Sequence, residues 1–308
     1  MTVTVNHLDL IIQAKERLAK DRPDLTRGQL IKLLAHKYLA CSEQKVYLAR
    51  PGEIALSSQI VTNYEADIAK LLDNWPFAYV LGETDFFDET YKCKEGVLIP
   101  RPDSEVLVEE CLRVLTDLAT NVPQNTLNVC EIGVGSAALL AGIYSHFTVK
   151  DKQLRLFASD INPLAIKLSE ENLLAKHVPA NLWQVDLLPD LDTAKQVGLL
   201  PIDLLYSNPP YIAPAEWDDL DQSVKNFEPK NALLAEEEGL AVYRRILDKV
   251  RTEKYLRAGA YILFEHGYMQ KASLANLLSE PAYSLFKIKK WRQDYHGKDR
   301  VLVIQYCP

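Results

Sequence analysis

The last two thirds of the chain alternate between short apolar segments with strand character and longer segments with helical periodicity. Strands are predicted over residues 127–132, 154–159, 181–185, 203–207 and 260–265, and helices from 103, 136 and 163 and near 240–250 and 270–278. This alternation is typical of βα units around a largely parallel sheet with helices on both faces. Two final strand segments, 283–288 and 300–305, have no helix between them and are predicted to pair as an antiparallel hairpin at one edge.

The first 75 residues have a different character, because they repeat the helical period and contain no strong alternating run. Thr26 and Gln29 are spaced as a capping box, and a later apolar stripe ends at Pro76. We therefore predict a helical bundle over residues 1–75, a linker hairpin over 76–102 and an α/β domain over 103–308.

Charge and composition exclude several classes of protein. The chain has 35 Lys and Arg against 42 Asp and Glu, a net charge of −7, so no global positive field favours nucleic acid. The longest strongly apolar run, 132–144, is shorter than the ~18–20 residues that span a bilayer, and residues 1–20 lack the pattern of a secretory signal. Five cysteines without a CxxC pair and six histidines without HExxH indicate neither a disulfide framework nor a metal site. We expect a cytoplasmic protein that binds no nucleic acid, membrane or metal.

A glycine-containing turn follows the first predicted strand of the α/β domain. It comprises Glu131, Gly133, Val134, Gly135, Ser136 and Ala137. Glycine permits positive φ and close approach of a ligand, and the start of the next helix offers free N–H groups. A tight turn without a ligand remains an alternative for this motif alone.

The next two strands also end in acidic residues. Asp160 lies where an acid in a doubly wound fold accepts hydrogen bonds from ribose hydroxyls. Asp186, followed by Leu187, lies where it can meet an adenine edge. Three strand ends thus converge on an adenosine-sized site. There is no phosphate-binding GxxxxGK[ST] motif, and the acid-x-G-x-G-x-small spacing is that of S-adenosylmethionine sites rather than nicotinamide sites.

The fourth strand is followed by Asn208, Pro209, Pro210 and Tyr211. Two prolines remove two backbone donors and stiffen the turn at the edge where ligands bind in open α/β sheets. The Asn208 side-chain carbonyl and the Pro209 backbone carbonyl can each accept one hydrogen of a planar NH2 group, while Tyr211 lies against the group that carries it. We expect Asn208, Pro209 and Tyr211 to be catalytic, all four residues to bind substrate and Asn208 also to contact the cofactor.

With the upstream glycine turn, this NPPY motif resembles amino-group methyltransferases that use S-adenosylmethionine. Three further stretches, 96–105 (GVLIPRPDSE), 227–240 (FEPKNALLAEEEGL) and 294–301 (DYHGKDRV), are similar to the release factor glutamine methyltransferase family. Members of that family modify the glutamine of the GGQ motif in peptide chain release factors. The resemblance covers nearly the whole chain and implies a seven-stranded Rossmann-like sheet with an N-terminal helical bundle that recognises the protein substrate.

The resemblance therefore implies methyl transfer from S-adenosylmethionine to the N5 amide nitrogen of a glutamine in a release factor. LIPRPDSE favours this branch over relatives that act on a large-subunit ribosomal protein. Adenine-N6 methylation of nucleic acid is a further alternative, which the acidic charge balance disfavours. Ala137 replaces the last glycine of the family's turn, which predicts reduced cofactor affinity and leaves an inactive homologue as another alternative. We expect a monomer.

Two other segments are assigned roles. The long 212–238 connection is expected to contact substrate. Glu265, His266 and Gly267 end another strand at the same edge and are expected to be structural or to line the pocket.

Overall fold

A computed structural model describes residues 6–308, so the first five residues of the predicted bundle lie outside the described residues. Its helices and strands follow one another as α1 (His7–Leu18), α2 (Arg27–Lys32), α3 (Glu43–Leu48), α4 (Ser58–Leu72), α5 (Phe77–Leu81), β1 (Glu83–Phe86), β2 (Glu89–Lys92), α6 (Glu105–Asn121), β3 (Thr126–Ile132), α7 (Ala138–His146), β4 (Gln153–Asp160), α8 (Pro163–Ala175), β5 (Ala180–Gln184), α9 (Leu191–Gln196), β6 (Ile202–Ser207), α10 (Gln222–Phe227), α11 (Glu236–Gly239), α12 (Ala241–Thr252), β7 (Leu256–Glu265), α13 (Lys271–Ser279), β8 (Phe286–Gln293) and β9 (Asp299–Tyr306). A π-helical segment spans Leu33–Leu39, and 3-10 turns occupy Pro102–Ser104, Pro214–Asp219, Lys230–Ala232 and Pro281–Tyr283.

Contact density divides the described chain into two compact units. Residues 6–84 and Asp221–Phe227 form the first, and Asp85–Leu220 with Glu228–Pro308 form the second. This division falls after Thr84, whereas the sequence predicts boundaries after residues 75 and 102, which stay predictions.

The first unit consists of α1 to α5 and α10, and α1 to α5 surround an apolar core of their own, which agrees with the predicted helical bundle. Tyr64, Ile68 and Leu71 repeat at helical spacing on α4 and are fully buried. The Thr26–Gln29 capping box at the start of α2 is present as predicted, since each side chain bonds the other residue's backbone N–H. These features close one small helical core.

The second unit contains a seven-stranded sheet in the order β5-β4-β3-β6-β7-β9-β8. The first five strands are parallel, and β9 runs antiparallel to both β7 and β8. The predicted α/β fold and the antiparallel final hairpin are therefore confirmed. From the central pair β3 and β6, the chain winds toward opposite edges, and such a switch point opens a crevice at the carboxyl ends of the strands.

Helices cover both faces of this sheet, as alternate residues of β3 show. Val129 joins the apolar cluster formed with α6 and α7, whereas Cys130 joins the cluster formed with α12 and α13. Both residues are fully buried, so the strand is apolar on each face, as expected for a parallel sheet between helix layers. Within residues 6–308, no helix combines the length and apolar composition that a bilayer crossing requires.

The structure departs from the predicted elements in several places. The strand predicted over 283–288 is shifted along the chain, since Pro281–Tyr283 form a 3-10 turn and β8 spans Phe286–Gln293. The helix predicted from Ser136 begins at Ala138, because Ala137 has a left-handed backbone. Helix α9 was missed, although Asp190 caps it by accepting the N–H groups of Asp192 and Thr193. The 212–238 connection is not a plain loop, since two 3-10 turns and helices α10 and α11 interrupt it.

Candidate active site

A pocket of about 350 Å³ opens at the carboxyl ends of β3, β4 and β6, inside the second unit. This volume lies at the lower end of the roughly 300–1,000 Å³ range of small-molecule sites. Eight of the residues predicted for the site line it, namely Gly133, Gly135, Asp160, Asp186, Leu187, Asn208, Pro209 and Pro210. The remaining predicted residues, Glu131, Val134, Ser136, Ala137 and Tyr211, are absent from its wall among the described residues.

The glycine turn contributes exposed backbone to this pocket. Gly133 and Gly135 have φ angles of +78° and +56°, which L side chains rarely adopt. A Cβ added at either position would meet no atom within 4 Å, so the space beside both glycines is open. The N–H groups of Gly133 and Val134 donate to the Ser159 carbonyl at 2.8 and 3.0 Å, which holds the turn against β4. The turn thus forms a cradle of exposed backbone, which side chains at Gly133 and Gly135 would occupy.

Two polar side chains of α8 brace the same turn and were missed from the sequence. Ser169 Oγ donates to the Gly135 carbonyl at 2.9 Å, and Asn172 Nδ2 donates to the Ser136 carbonyl at 2.9 Å. Both residues are buried. The sequence could have indicated them, because two polar residues three positions apart lie on the apolar face of α8 beside its leucines. Polar residues are unusual on a buried helix face.

Ala137 closes the turn with φ +64° and ψ +18°, a left-handed conformation that favours glycine. Its side chain is fully buried and packs in the apolar cluster under α7. The methyl group therefore lies behind the pocket wall. Its effect on a ligand acts through the backbone rather than through direct crowding.

The two acidic residues nearest the turn have different environments. Asp160 accepts the Gly135 N–H at 3.0 Å and the Asn162 N–H at 2.8 Å, and burial raises the pKa of its carboxyl. It lines the pocket and retains lone pairs for further donors. Glu131 is 1% exposed and accepts the Tyr206 hydroxyl at 3.0 Å across the β3–β6 pair, and burial raises its pKa strongly.

Asp186 and Leu187 form the other end of the pocket. Asp186 is half exposed and pairs with the half-exposed guanidinium of Arg245, a residue of α12 that also lines the pocket and was not predicted. Leu187 has φ +65°, and its carbonyl accepts the Ser159 hydroxyl. Hydrogen bonding therefore holds the strained backbone beside Asp186.

Asn208 follows β6 with its side-chain amide in a defined orientation. Its Nδ2 donates to the buried Ser104 hydroxyl at 3.1 Å, so Oδ1 is the atom presented to a ligand in the pocket. Pro209 and Pro210 continue the wall. The predicted binding of a planar NH2 group by the Asn208 and Pro209 carbonyls stays a prediction.

Tyr211 takes a different position from the other NPPY residues. Its ring packs against the apolar cluster under α12 and α13, and its carbonyl accepts Gln270 Nε2 at 2.8 Å. Burial and the nearby Glu265 raise the pKa of its hydroxyl. Its predicted contact with a substrate amide stays a prediction.

The three stretches that carry the family resemblance meet around this motif through ion pairs. Arg101 pairs with buried Glu228, which also accepts the Ile99 N–H at 3.3 Å. Arg300 is 7% exposed and pairs with Asp103 at 3.0 Å and Asp294 at 3.2 Å. These partners are too far apart in the sequence to be paired from spacing alone. The sequence does show that the three stretches contain many charged residues among apolar ones.

The second half of the 212–238 connection also reaches the pocket. Its contribution to the wall comes from Pro229, Asn231, Ala232 and Leu234. Within the described residues, no cluster of three His, Cys, Asp or Glu side chains is arranged to hold a metal ion.

Several curated relatives of this chain carry the same family name. A release factor glutamine methyltransferase of Enterococcus faecalis is 34% identical over 241 residues, which cover 78% of this chain and 79% of that protein. Proteins of the same name from Vibrio cholerae and Haemophilus influenzae are 31% and 27% identical and cover 95% and 96% of this chain, and 94% and 98% of their own lengths. No protein-family model matches the chain. The extended similarity to the curated relatives confirms the resemblance, and the chain belongs to the release factor glutamine methyltransferase family.

Proposed function

We propose that this protein transfers a methyl group from S-adenosylmethionine to the N5 side-chain nitrogen of a glutamine in a peptide chain release factor, at the GGQ motif. The observation that carries the proposal is Asn208, whose fixed amide presents Oδ1 beside the glycine-lined pocket. The family name of its relatives supports the choice of substrate.

The residues present fit S-adenosylmethionine. The open space beside Gly133 and Gly135 accommodates a ligand in contact with backbone, and Asp160 and Asp186 offer carboxylates to ribose hydroxyls and the adenine amino group. Glu131, Val134, Ser136, Ala137 and Leu187 are proposed to shape this site, and the first four of these do so from behind the wall. When bound, this cofactor supplies a methyl group made electrophilic by a positively charged sulfur.

Asn208 and Pro209 are proposed to act on the glutamine. An amide nitrogen is a poor nucleophile because its lone pair is delocalised into the carbonyl. Two acceptor oxygens that each hold one amide hydrogen orient this nitrogen and stabilise positive charge as it develops there. The proton can leave after transfer, so no strong base is needed beside the motif. Pro210 and Tyr211 are proposed to complete the substrate-binding surface.

The helical bundle, predicted over residues 1–75, is proposed to recognise the release factor. We further propose that the protein is a cytoplasmic monomer without a direct nucleic-acid partner. The net charge of −7 supports the last point.

Label transfer tests the substrate directly. The purified protein is incubated with methyl-labelled S-adenosylmethionine and one of three acceptors, which are a release factor, the same factor with its GGQ glutamine changed to alanine, and DNA. We expect label only in the unmodified factor. Label in the alanine variant or in DNA would reject the assignment of the glutamine.

The Asn208→Ala variant tests the proposed chemistry. Loss of one of two orienting oxygens should lower kcat by about 10²-fold or more, by analogy with the removal of a single transition-state hydrogen bond. Calorimetry should show little change in affinity for S-adenosylmethionine. Asn231→Ala is a matched control, because it makes the same change elsewhere in the pocket wall. Equal kcat values for Asn208→Ala and the wild type would remove this mechanism.

A further inference from the structure

Glu265 is a buried carboxylate for which the proposed chemistry has no role. It is the last residue of β7, and the pairing of Ser207 with Phe264 places it beside Asn208 at the carboxyl edge of the sheet. The residue is 1% exposed, and among the described residues its Oε2 has no hydrogen-bond partner. A buried carboxylate without full hydrogen bonding is costly, so its presence at this edge calls for a role.

Several groups face this carboxylate from the surrounding elements. The side chains of Ser104 and Asn208 lie within reach of the carboxylate and favour its ionised form, and Arg300 on β9 and Asp103 add opposing charges. Tyr211 lies within its electrostatic reach, and the Tyr243 hydroxyl of α12 donates to the Glu265 backbone carbonyl at 2.8 Å. Burial outweighs the influence of these groups and raises the pKa of Glu265 to about 7.

The orientation of Asn208 is the property that this arrangement controls. An asparagine amide carries an acceptor oxygen and a donor nitrogen on nearly symmetrical branches. If the amide were reversed, its NH2 would face the NH2 of the substrate glutamine, and no hydrogen bond would form. Acceptors behind the side chain therefore decide whether the motif can bind a carboxamide.

We propose that Glu265, together with Ser104, is a positioning residue that holds the Asn208 amide nitrogen away from the pocket and so keeps Oδ1 turned toward the substrate. This inference rests on the proposed function, because it assigns a role within that reaction. The ionised carboxylate only accepts hydrogen bonds, whereas the protonated acid can also donate to Oδ1 and favour the reversed amide.

The inference has a direct consequence for the dependence of activity on pH. Ionisation of Glu265 should increase the population of correctly oriented Asn208, so kcat should rise as pH increases through about 7. His266 is the neighbouring titratable residue, and burial lowers the pKa of its imidazole below the usual value. The hydroxyls of Tyr211 and Tyr243 have raised pKa values and do not titrate in this range.

Glu265→Gln is the test, because the substitution keeps the shape of the side chain and removes its charge. Loss of a charge-assisted hydrogen bond should lower kcat by about 10- to 100-fold. The KM for release factor and the affinity for S-adenosylmethionine should change less than about 3-fold, as expected for an effect on orientation rather than binding. The rise in kcat near pH 7 should disappear in this variant and persist in His266→Gln.

Ser104→Ala provides a second variant, which leaves the carboxylate in place. Its kcat should fall, because Asn208 Nδ2 loses an acceptor at 3.1 Å. Its rise with pH should remain but move to higher pH, because Ser104 favours the ionised form of Glu265. Thermal unfolding of all three variants checks that each is folded at the assay temperature. Wild-type kcat in Glu265→Gln or in Ser104→Ala, or an unchanged pH profile in Glu265→Gln, would overturn the inference. If the wild type is active, any of these results overturns the role of Glu265 but leaves the proposed function intact. A wild type that methylates no release factor contradicts both the proposed function and the role of Glu265.

Discussion

At the scale of single residues, Ala137 places a methyl group at a position of the turn whose backbone conformation favours glycine. Its φ of +64° lies in the left-handed region, where a Cβ crowds the following carbonyl. The preceding residues Gly133 and Gly135 take similar angles without this penalty. Because Ala137 is buried and its neighbours form the cradle, the strain is stored directly behind the proposed cofactor site.

Ala137→Gly should therefore be tolerated. Relief of the left-handed alanine is worth about 1–2 kcal/mol. The entropy cost of glycine and the lost burial of one methyl group, about 0.5–1 kcal/mol each, offset it, so the free energy of unfolding should change by less than about 1 kcal/mol. Affinity for S-adenosylmethionine should rise, because the turn reaches its binding conformation without strain. Denaturant unfolding and calorimetry measure the two effects.

Ala138→Gly is the matched control for this change. Ala138 is equally buried but begins α7 with helical geometry, so a glycine there should lower the free energy of unfolding by about 1–2 kcal/mol. Equal destabilisation by the two substitutions would show that the backbone angle at Ala137 carries no strain.

At the scale of elements, one glutamine joins three connections around the NPPY turn. Gln270, which precedes α13, donates to the Tyr211 carbonyl at 2.8 Å and accepts the Gly267 N–H at 3.0 Å. Its Nε2 also reaches the Glu238 carbonyl at 3.3 Å. Gly239 fits against this junction, since a Cβ there would lie 2.1 Å from the Tyr211 carbonyl oxygen. The end of α11 therefore supports the turn from behind.

Gly239→Ala should displace the NPPY turn and reduce kcat by about 10-fold or more, because small errors in position are costly for an oriented reaction. Gly259→Ala is the control: this residue also has positive φ, +83° against +84°, but a Cβ there meets no atom within 4 Å. Both variants should lose stability through backbone strain, and only the first should lose activity beyond that. Steady-state kinetics below the unfolding temperature measure kcat for both variants. Equal kcat values would show that the end of α11 does not support the NPPY turn.

At the scale of the whole molecule, the sheet was predictable because each βα unit leaves a local pattern of apolar residues and helix starts. The convergence of Asp160, Asp186 and Asn208 also followed, since parallel strands end at one edge. The bracing groups Ser169 and Asn172, and Glu265 beside Asn208, depend on contacts between distant segments that no local pattern specifies. Helix α9 is only six residues long, too short for the helical period to be seen.

The proposed role of the helical bundle has a consequence for hydrogen exchange. An interface excludes water from backbone amides, so a bound release factor should slow exchange in helices α1 to α5. S-adenosylmethionine alone should slow exchange only around the glycine turn and the ends of β4 and β6. Mass spectrometry of the full chain measures both patterns. If the release factor left every amide of residues 6–84 unprotected, the bundle would not be its recognition surface.

The central claim is that the Asn208 and Pro209 carbonyls hold the glutamine amide at the pocket. Its most direct test is a crystal structure of the protein with S-adenosylhomocysteine and a peptide that contains the GGQ sequence. We expect the glutamine nitrogen within about 3 Å of both Asn208 Oδ1 and the Pro209 carbonyl oxygen. A glutamine bound elsewhere, or an Asn208 that presents Nδ2 to the pocket, would contradict the account.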